Sequence, residues 1–399
     1  MEMTIKTATE DTDVLIVGAG PTGLALAIAL MRSGINTMIV DKLVIGQNTS
    51  RAAVIHAHTL EILESINVSD RLVQEGLKLS KFSIRDRDHV LVRLHFDSLP
   101  TRYNFLLMLP QDSTERILNE ALTDLGGAVR WGCTVEKLVE TSGGIHASIA
   151  TGQGKQVINA RYVIGADGMH SLVRETVGIE FAGGSHEQSF ILADVDMNWS
   201  YGSDEVIQFF SPAGLLVVAP LPSGRYRIVA TLDSVPMQLA MTDVQALLDM
   251  RGPTYAASKV TYVHWSSHFR LHHRVANQYR RRHFFLVGDA AHVHSPAGGQ
   301  GMNTGLIDAC ILGRILSHAI LRHKDDSYLD QYEILRRPAA QQVLQLAEQL
   351  TQMAIMKGLS KRLVRNVLLR TFSVFPLFRH HLEMNLSGLS RRTAAETNL

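Results

Sequence analysis

The chain has 399 residues, 46% of them hydrophobic and 19% charged, with a formal net charge of +1. That length and balance exclude a disordered polypeptide and leave room for two or three domains around a large core. The near-neutral charge gives no overall pull toward nucleic acid.

Met1 to Asp13 carries Glu2, Glu10, Asp11 and Asp13 and lacks the basic stretch and apolar run of a signal peptide. The longest apolar run nearby, Leu24 to Met31, falls far short of the ~20 residues of a membrane span. Neither Cys133 nor Cys310 sits in a C-x-x-C pair, so no disulfide framework or cysteine zinc site is expected, and a reducing cytoplasm is the default setting. No internal repeat or low-complexity tract interrupts the chain.

Asp13-Val-Leu-Ile-Val-Gly18-Ala-Gly20-Pro-Thr-Gly23 reads as a buried strand and a tight glycine turn, and the apolar run after Gly23 as a helix. Gly18 permits the sharp turn, Gly20 a close approach of backbone to ligand, and Gly23 close packing of helix on strand. Free N–H groups and the helix dipole at that turn suit a pyrophosphate. Ile35 to Val40 reads as the next strand. Asp41 follows 18 residues after Gly23, near the ~20 expected for a carboxylate that accepts from a ribose hydroxyl.

A loop with Arg51 precedes a helix with apolar positions Leu60, Leu63 and Ile66. Arg51 is either a phosphate partner or a solvated loop residue. His56-x-His58 has the wrong spacing for one helix face and no acidic or cysteine partner nearby, so no metal is expected there, and the same holds for His292-x-His294. Residues 81 to 109 read as strands with turns, Gln111 opens a helix behind Pro110, and Val129 to Asn159 reads as a small antiparallel excursion. Ala160 to Gly165 is another buried strand. It ends in Ala-Asp167-Gly168, which sets a carboxylate where ligands of open α/β sheets bind.

From about Ser185 to Arg270, short β-rich runs separated by turns predict a mostly antiparallel sheet. Its bulky residues, among them Trp199, Tyr262, His264 and Trp265, either pack in the core or face a ligand. His283 to Val287 returns as a buried strand stopping at Gly288-Asp289. Pro296 and a run of glycines then open a long helix, a second N-terminus suited to an electron-rich oxygen. Residues 328 to 357 predict a further helix. The basic and apolar stretch 361–385 predicts a helix closing over the fold with its basic face in solvent, or one touching a membrane surface or a partner. The tail from Arg391 is polar.

Three stretches, Gly18-x-Gly20-x-x-Gly23, Gly165-Ala-Asp167-Gly168 and Gly288-Asp289-Ala-Ala-His292 with Pro296 and Gly298-Gly299-Gln-Gly301-Met302-Asn303, together resemble the single-component, FAD-dependent aromatic-ring hydroxylases of the para-hydroxybenzoate hydroxylase family. The likeness runs from about residue 12 to residue 340 or beyond. Ser50-Arg51-Ala-Ala-Val resembles the branch acting on phenols and aromatic polyketides, many of whose members carry a further thioredoxin-like domain that this length does not accommodate.

The resemblance implies an α/β (α+β) fold. A Rossmann-like FAD-binding domain (1–180 and 271–325) carries an inserted, mostly antiparallel β-sheet substrate domain (181–270), and C-terminal helices with a polar tail follow (326–399). It implies that Gly18, Gly20 and Gly23 hold the FAD pyrophosphate, Asp41 with Lys42 the adenosine ribose, Arg51 and Gln111 the ribityl-pyrophosphate region, and Val135 the adenine through its backbone. Asp167 would lie near FAD and the nicotinamide cofactor, and Asp289 on the ribityl chain. Pro296, Gly298, Gly301, Met302 and Asn303 would lie against the flavin ring.

The implied activity is a monooxygenase. NADH or NADPH reduces FAD, O2 adds to give a flavin C4a-hydroperoxide, and an electron-rich aromatic substrate is hydroxylated. His56, Tyr262 and His264 are candidate bases for the phenol proton, and no metal is implied. The expected partners are a small aromatic substrate and, as monomer or homodimer, at most a second copy, with no nucleic acid and no transmembrane span. A halogenase or isoprenoid reductase on the same fold is the rival enzyme, though the halogenase Trp-x-Trp-x-Ile-Pro run is absent. A scaffold without redox chemistry is the non-enzyme rival, and the intact Asp289 motif argues against it.

Overall fold

The computed structural model describes residues 9–44, 52–232, 239–255, 258–296, 298–354, 356 and 358–393. Thr9–Val17, Thr37–Val40, Gly154–Gly165 and Phe284–Leu286 pair in parallel at the centre of one sheet. Their apolar runs are nearly continuous because helices cover both faces. Val129–Arg130 extends this sheet at one edge and Arg280–Arg281 at the other. The predicted antiparallel excursion is present: Thr134–Thr141 and Gly144–Thr151 fold back onto Gly154–Gly165. Helix Pro21–Arg32 packs beside helix Gly301–Leu321, and Gly313 allows the approach, since a Cβ there would lie 2.6 Å from the Ala29 methyl.

The second sheet has eight strands and is larger than the 181–270 segment. Phe181–Trp199 and Ser258–Ala276 form a 19-residue antiparallel ribbon that runs back to the first domain, where Arg274 and Val275 pair with His292–Val293. At the opposite edge Lys81–Asp86 joins Glu205–Ser211 in parallel, and His89–His95 follows. Residues 81–95, grouped by sequence with the first domain, therefore belong to the second sheet. Nothing local marks that choice, because a strand's own pattern does not name its neighbour.

Gly301–Leu321 is the one described helix long and apolar enough to cross a membrane, and it lies buried in the core. The expected single helix over 361–385 is two, Leu359–Ser373 and Pro376–Leu386. Pro376 cannot continue the first helix and takes the first position of the second.

Candidate functional site

A cavity of about 600 Å³ lies between the two sheets. Gly20, Pro21 and Thr22 line one end. Asp289, His294, Ser295, Pro296, Gly298 and Gly301 line another. The two glycine-rich turns, some 280 positions apart in sequence, thus share one space.

At the first turn the three glycines have three separate reasons. Gly18 has φ +106°, and a Cβ on it would lie 2.3 Å from the Ala166 carbonyl oxygen. A Cβ on Gly23 would lie 2.0 Å from the Gly18 oxygen. A Cβ on Gly20 would meet no protein atom within 4 Å. Gly20 therefore opens onto the cavity, while the other two let protein meet protein. No side chain caps the helix that begins at Pro21, so its first N–H groups face the cavity end without an internal partner.

Asp41 lies beside this turn. One carboxylate oxygen accepts from Ala19 N–H at 2.7 Å and the other from Leu43 N–H at 2.8 Å. Lys42 is exposed next to it. Cys133 N–H donates to the Asp41 carbonyl at 2.8 Å, which brings the start of the Val135 strand to the same end. Val135 itself is buried in the ladder opposite Ile149, outside the cavity wall. Arg51 lies outside the described residues.

Gln111 lines the cavity and holds Ala52, with Oε1 accepting from Ala52 N–H at 3.1 Å and its own N–H donating to Ala52 O at 3.0 Å. A third contact on Ala52 comes from Arg227, which the sequence reading passed over. Its Nη1 donates to Ala52 O at 2.8 Å while the rest of its fork grips Asp194 at 2.7 and 2.8 Å. The buried Arg227 with its half-buried partner Asp194 ties the second sheet to the wall of the first domain.

Asp167 stands between residues of the cavity wall. Ala166, Gly168 and Met169 line the cavity. The Asp167 carboxylate instead turns to the start of the short helix Leu172–Thr176, accepting from Val173 N–H at 3.3 Å. Burial pushes its pKa up, and its bonds to Ser171 and the backbone there pull the other way.

At the second turn, Gly298 and Gly299 have φ +81° and +65°, and a Cβ on Gly299 would lie 2.1 Å from Val54 Cγ1. Asn303 does not line the cavity; it joins the turn to the neighbouring strand. Its Oδ1 accepts from His56 N–H at 2.8 Å, and its Nδ2 donates to Val54 O and Gly299 O at 2.9 and 2.8 Å. Met302 lines the cavity beside Gly301. The helix that begins at Gly301 also lacks a side-chain cap.

Behind Asp289, which is exposed toward the cavity, lies a buried network. Asp308 accepts from Arg336 Nε at 2.8 Å, lies 2.6 Å from His292 Nε2 and reaches Gly288 N–H at 3.3 Å. His292 is thus a partner of Asp308. Burial pushes the Asp308 carboxyl up, and its contacts with His292 and Arg336 nonetheless hold it below its usual range. Among the described residues no three His, Cys, Asp or Glu side chains are grouped to hold a metal ion.

Of the three candidate bases, His56 alone lines the cavity. Tyr262 is 58% exposed and packs edge-on against His264. His264 Nε2 lies 2.9 Å from Asp196. Both stand on the outer length of the long ribbon, away from the cavity, which corrects their candidacy: neighbouring residues on one strand face opposite ways, and its exposed part lies beyond the cavity. Burial depresses the pKa of His56 to about 3, aided by the nearby Arg391 charge and opposed by a bond to Gln300. Its Nδ1 has no partner among the described residues. Burial likewise lowers His294 to about 4; its Nδ1 lies 2.8 Å from Ser295 O, and its Nε2 has no partner among the described residues.

The wall on the sheet side is apolar, with Phe82, Phe190, Leu192, Val206, Leu215 and Val217. Gln208 interrupts it. This residue is 5% exposed, and its Nε2 has no partner among the described residues. The last helix also reaches the cavity. Leu386 is part of the wall, its carbonyl accepts from Gln300 at 3.3 Å, and Arg391 donates to Gln300 Oε1 at 2.8 Å.

The arrangement fits a dinucleotide with a flat ring system: an open glycine cradle and an uncapped helix at one end, a second uncapped helix at the other, and an apolar chamber beside it. A family profile described as "FAD binding domain" matches residues 11–347. The chain is 33% identical over 353 residues to pentachlorophenol 4-monooxygenase of Sphingobium chlorophenolicum, a match covering 84% of this chain and 63% of that protein. It is 33% identical over 393 residues to 6-methylpretetramide 4-monooxygenase of Streptomyces rimosus, covering 94% of this chain and 69% of the relative. In fold it is similar to the crystal structure of p-nitrophenol 4-monooxygenase from Pseudomonas putida DLL-E4, with a TM-score of 0.86 and 22% identity over 96% of this chain and all of that one.

Proposed function

This chain belongs to the family of FAD-dependent aromatic hydroxylases, and on that premise we propose that it inserts one oxygen atom of O2 into an electron-rich aromatic ring at the expense of NADH or NADPH. The observation that carries the proposal is the single cavity joining Gly20 to Asp289 and Gly301. FAD, when bound there and reduced, supplies the activated oxygen; the protein positions the reactants and excludes water.

In this reading Gly20 and the Pro21 helix receive the pyrophosphate, Asp41 and Lys42 the ribose, and Gln111 and Asp289 the ribityl-phosphate stretch. The helix N-terminus at Gly301 stabilises negative charge on the ring. Asn303 acts indirectly, holding the His56 strand against the glycine turn. His56 is neutral across the working pH range, so its free Nδ1 accepts a hydrogen bond from a substrate hydroxyl without carrying the proton away.

Gln208 is the polar anchor of the substrate. An unpaired buried amide costs roughly 1–3 kcal/mol, which a phenolic or carbonyl oxygen on the ring recovers. Two free cysteines, Cys133 and Cys310, fit a reducing compartment.

The test follows NADH and NADPH oxidation by flavin-loaded protein across phenols and polyketide-like aromatics, with product mass. A product heavier by one oxygen atom, labelled from 18O2, is expected. Peroxide release without substrate oxidation across the whole panel overturns the reading. With a turned-over substrate, Gln208→Leu is expected to raise KM roughly 10- to 100-fold with a smaller effect on kcat.

A further inference from the structure

The helix Leu359–Ser373 is inside out for a helix that closes a core. The residue it buries is Arg365, whose guanidinium donates to Met353 O at 2.7 Å and lies over the Phe210 ring. Apart from Leu369, which packs against the core, its apolar residues face outward. Leu363, Val364, Val367, Phe372, Phe375 and Leu377, the last two beyond the helix end, are between 47% and 85% exposed. Scattered exposed apolar residues need no explanation, but a contiguous face marks an interaction surface.

The charge around this face is one-sided. Residues 358–393 carry seven lysines and arginines and one acid, against 39 and 38 in the whole chain; Arg365 is buried, Arg391 bonds Gln300 and Arg392 pairs with Glu61, which leaves Lys361, Arg362, Arg370 and Arg379 for this side. The one acid, Glu383, is buried and accepts from His95 N–H at 3.1 Å. Beside the apolar face, Arg93, Arg370 and Arg379 converge with Ser373, Val90 and Leu91 on a pocket of about 290 Å³. None of the three arginines has a carboxylate partner among the described residues. Three like charges brought together without a counter-ion suit a bound anion with several oxygens.

We propose that this face docks on an anionic phospholipid surface, with the outward apolar residues of 359–377 in the interface and a headgroup phosphate in the Arg93–Arg370–Arg379 pocket. The observations favour lipid over a second copy of the chain. A two-fold contact centred on this patch would set each arginine cluster against the same apolar and basic patch of its partner, where residues 358–393 expose no carboxylate and the nearby Asp86 is already bonded to Asn366. An exposed apolar helix face rimmed by cations is the design that lies in the plane of a membrane surface.

The test is flotation of the full, flavin-loaded chain with vesicles of phosphatidylcholine alone and of phosphatidylcholine with about one third phosphatidylglycerol. Binding to the anionic vesicles is expected, weakened by salt and at least roughly tenfold stronger than to the neutral ones. Replacing the three arginines together (Arg93→Gln, Arg370→Gln, Arg379→Gln) removes the preference for anionic lipid, by roughly fivefold per charge. Replacing Leu363→Ser, Val367→Ser and Phe375→Ser removes binding to both vesicles.

All six positions lie outside the cavity wall, so melting temperature and flavin binding of the variants are expected to match the parent. These readouts do not depend on the reaction proposed above. Equal binding to both vesicles, or none to either, overturns the proposal. So does stabilisation by inorganic phosphate without vesicle binding, which would make the pocket a small-anion site. A dimer in solution that the serine variant dissociates would assign the face to a second copy and overturn it as well.

Discussion

The two glycine turns of the cavity look alike in sequence and are built differently. At residues 18–23 one constraint is local, Gly23 against Gly18, and one is distant but backbone to backbone: Gly18 meets Ala166, at the end of the adjacent strand Gly154–Gly165. At residues 298–303 the constraints are distant. Gly299 is pressed on Val54, Gly298 lies near Leu350 and Leu386, and Asn303 bonds the strand at Val54 and His56. The first turn is read from one short motif and is completed by the backbone of a single neighbouring strand. The second takes shape only when segments some 250 residues apart have assembled.

The strongest way to break this comparison is at the first turn. Gly18→Ala adds a Cβ at positive φ against backbone and is expected to cost about 3 kcal/mol or more, read as a large drop in melting temperature. Gly20→Ala, which meets no protein atom, should melt within a degree or two of the parent and yet bind FAD at least roughly tenfold more weakly. Equal losses of stability in the two variants would show that the turn does not divide its labour in this way.

The second turn offers a sharper cycle. Gly299→Ala is expected to cost about 2 kcal/mol, and Val54→Ala in the same chain to recover a good part of it, because the added methyl points at Val54. Strict additivity in chemical denaturation would mean that the contact is not what fixes this glycine.

A smaller effect lies in pH. His56 is held near pKa 3 in the fold against about 6.5 when unfolded, so the unfolded chain binds the extra proton first. This contribution is intact above pH 6.5 and is lost as pH falls toward 3, amounting to about 2 kcal/mol at pH 5. His56→Gln should flatten the stability curve between pH 7 and pH 5 by that amount. An unchanged slope would place the acid sensitivity elsewhere, with His294 next in order.

The same contrast explains what was legible in the sequence. The Rossmann half was readable because strand, turn and helix follow each other within one short motif whose glycine spacing is itself the signal. The meeting of Gly20 with Asp289 was readable only through the resemblance of the whole motif set. The transfer of residues 81–95 to the second sheet and the grip of Arg227 on Ala52 and Asp194 depend on pairings that no local pattern encodes. Asp167 was correctly placed at a strand end, but the direction of its carboxylate was set by the free N–H groups of the next helix. The outward apolar face of 359–373 reversed the usual expectation, since periodicity tells which residues share a face and not which way it turns.

The helix Pro376–Leu386 spans the distance between that outer face and the cavity. Eleven residues at about 1.5 Å each make a rod of roughly 16 Å, with Leu377 85% exposed at one end and Leu386 in the chamber wall at the other. Leu386 also accepts from Gln300, which bonds His56, so the outer tip is joined to the cavity wall through one helix and two hydrogen bonds. A single rod of backbone thus has one end in solvent and the other in the cavity wall.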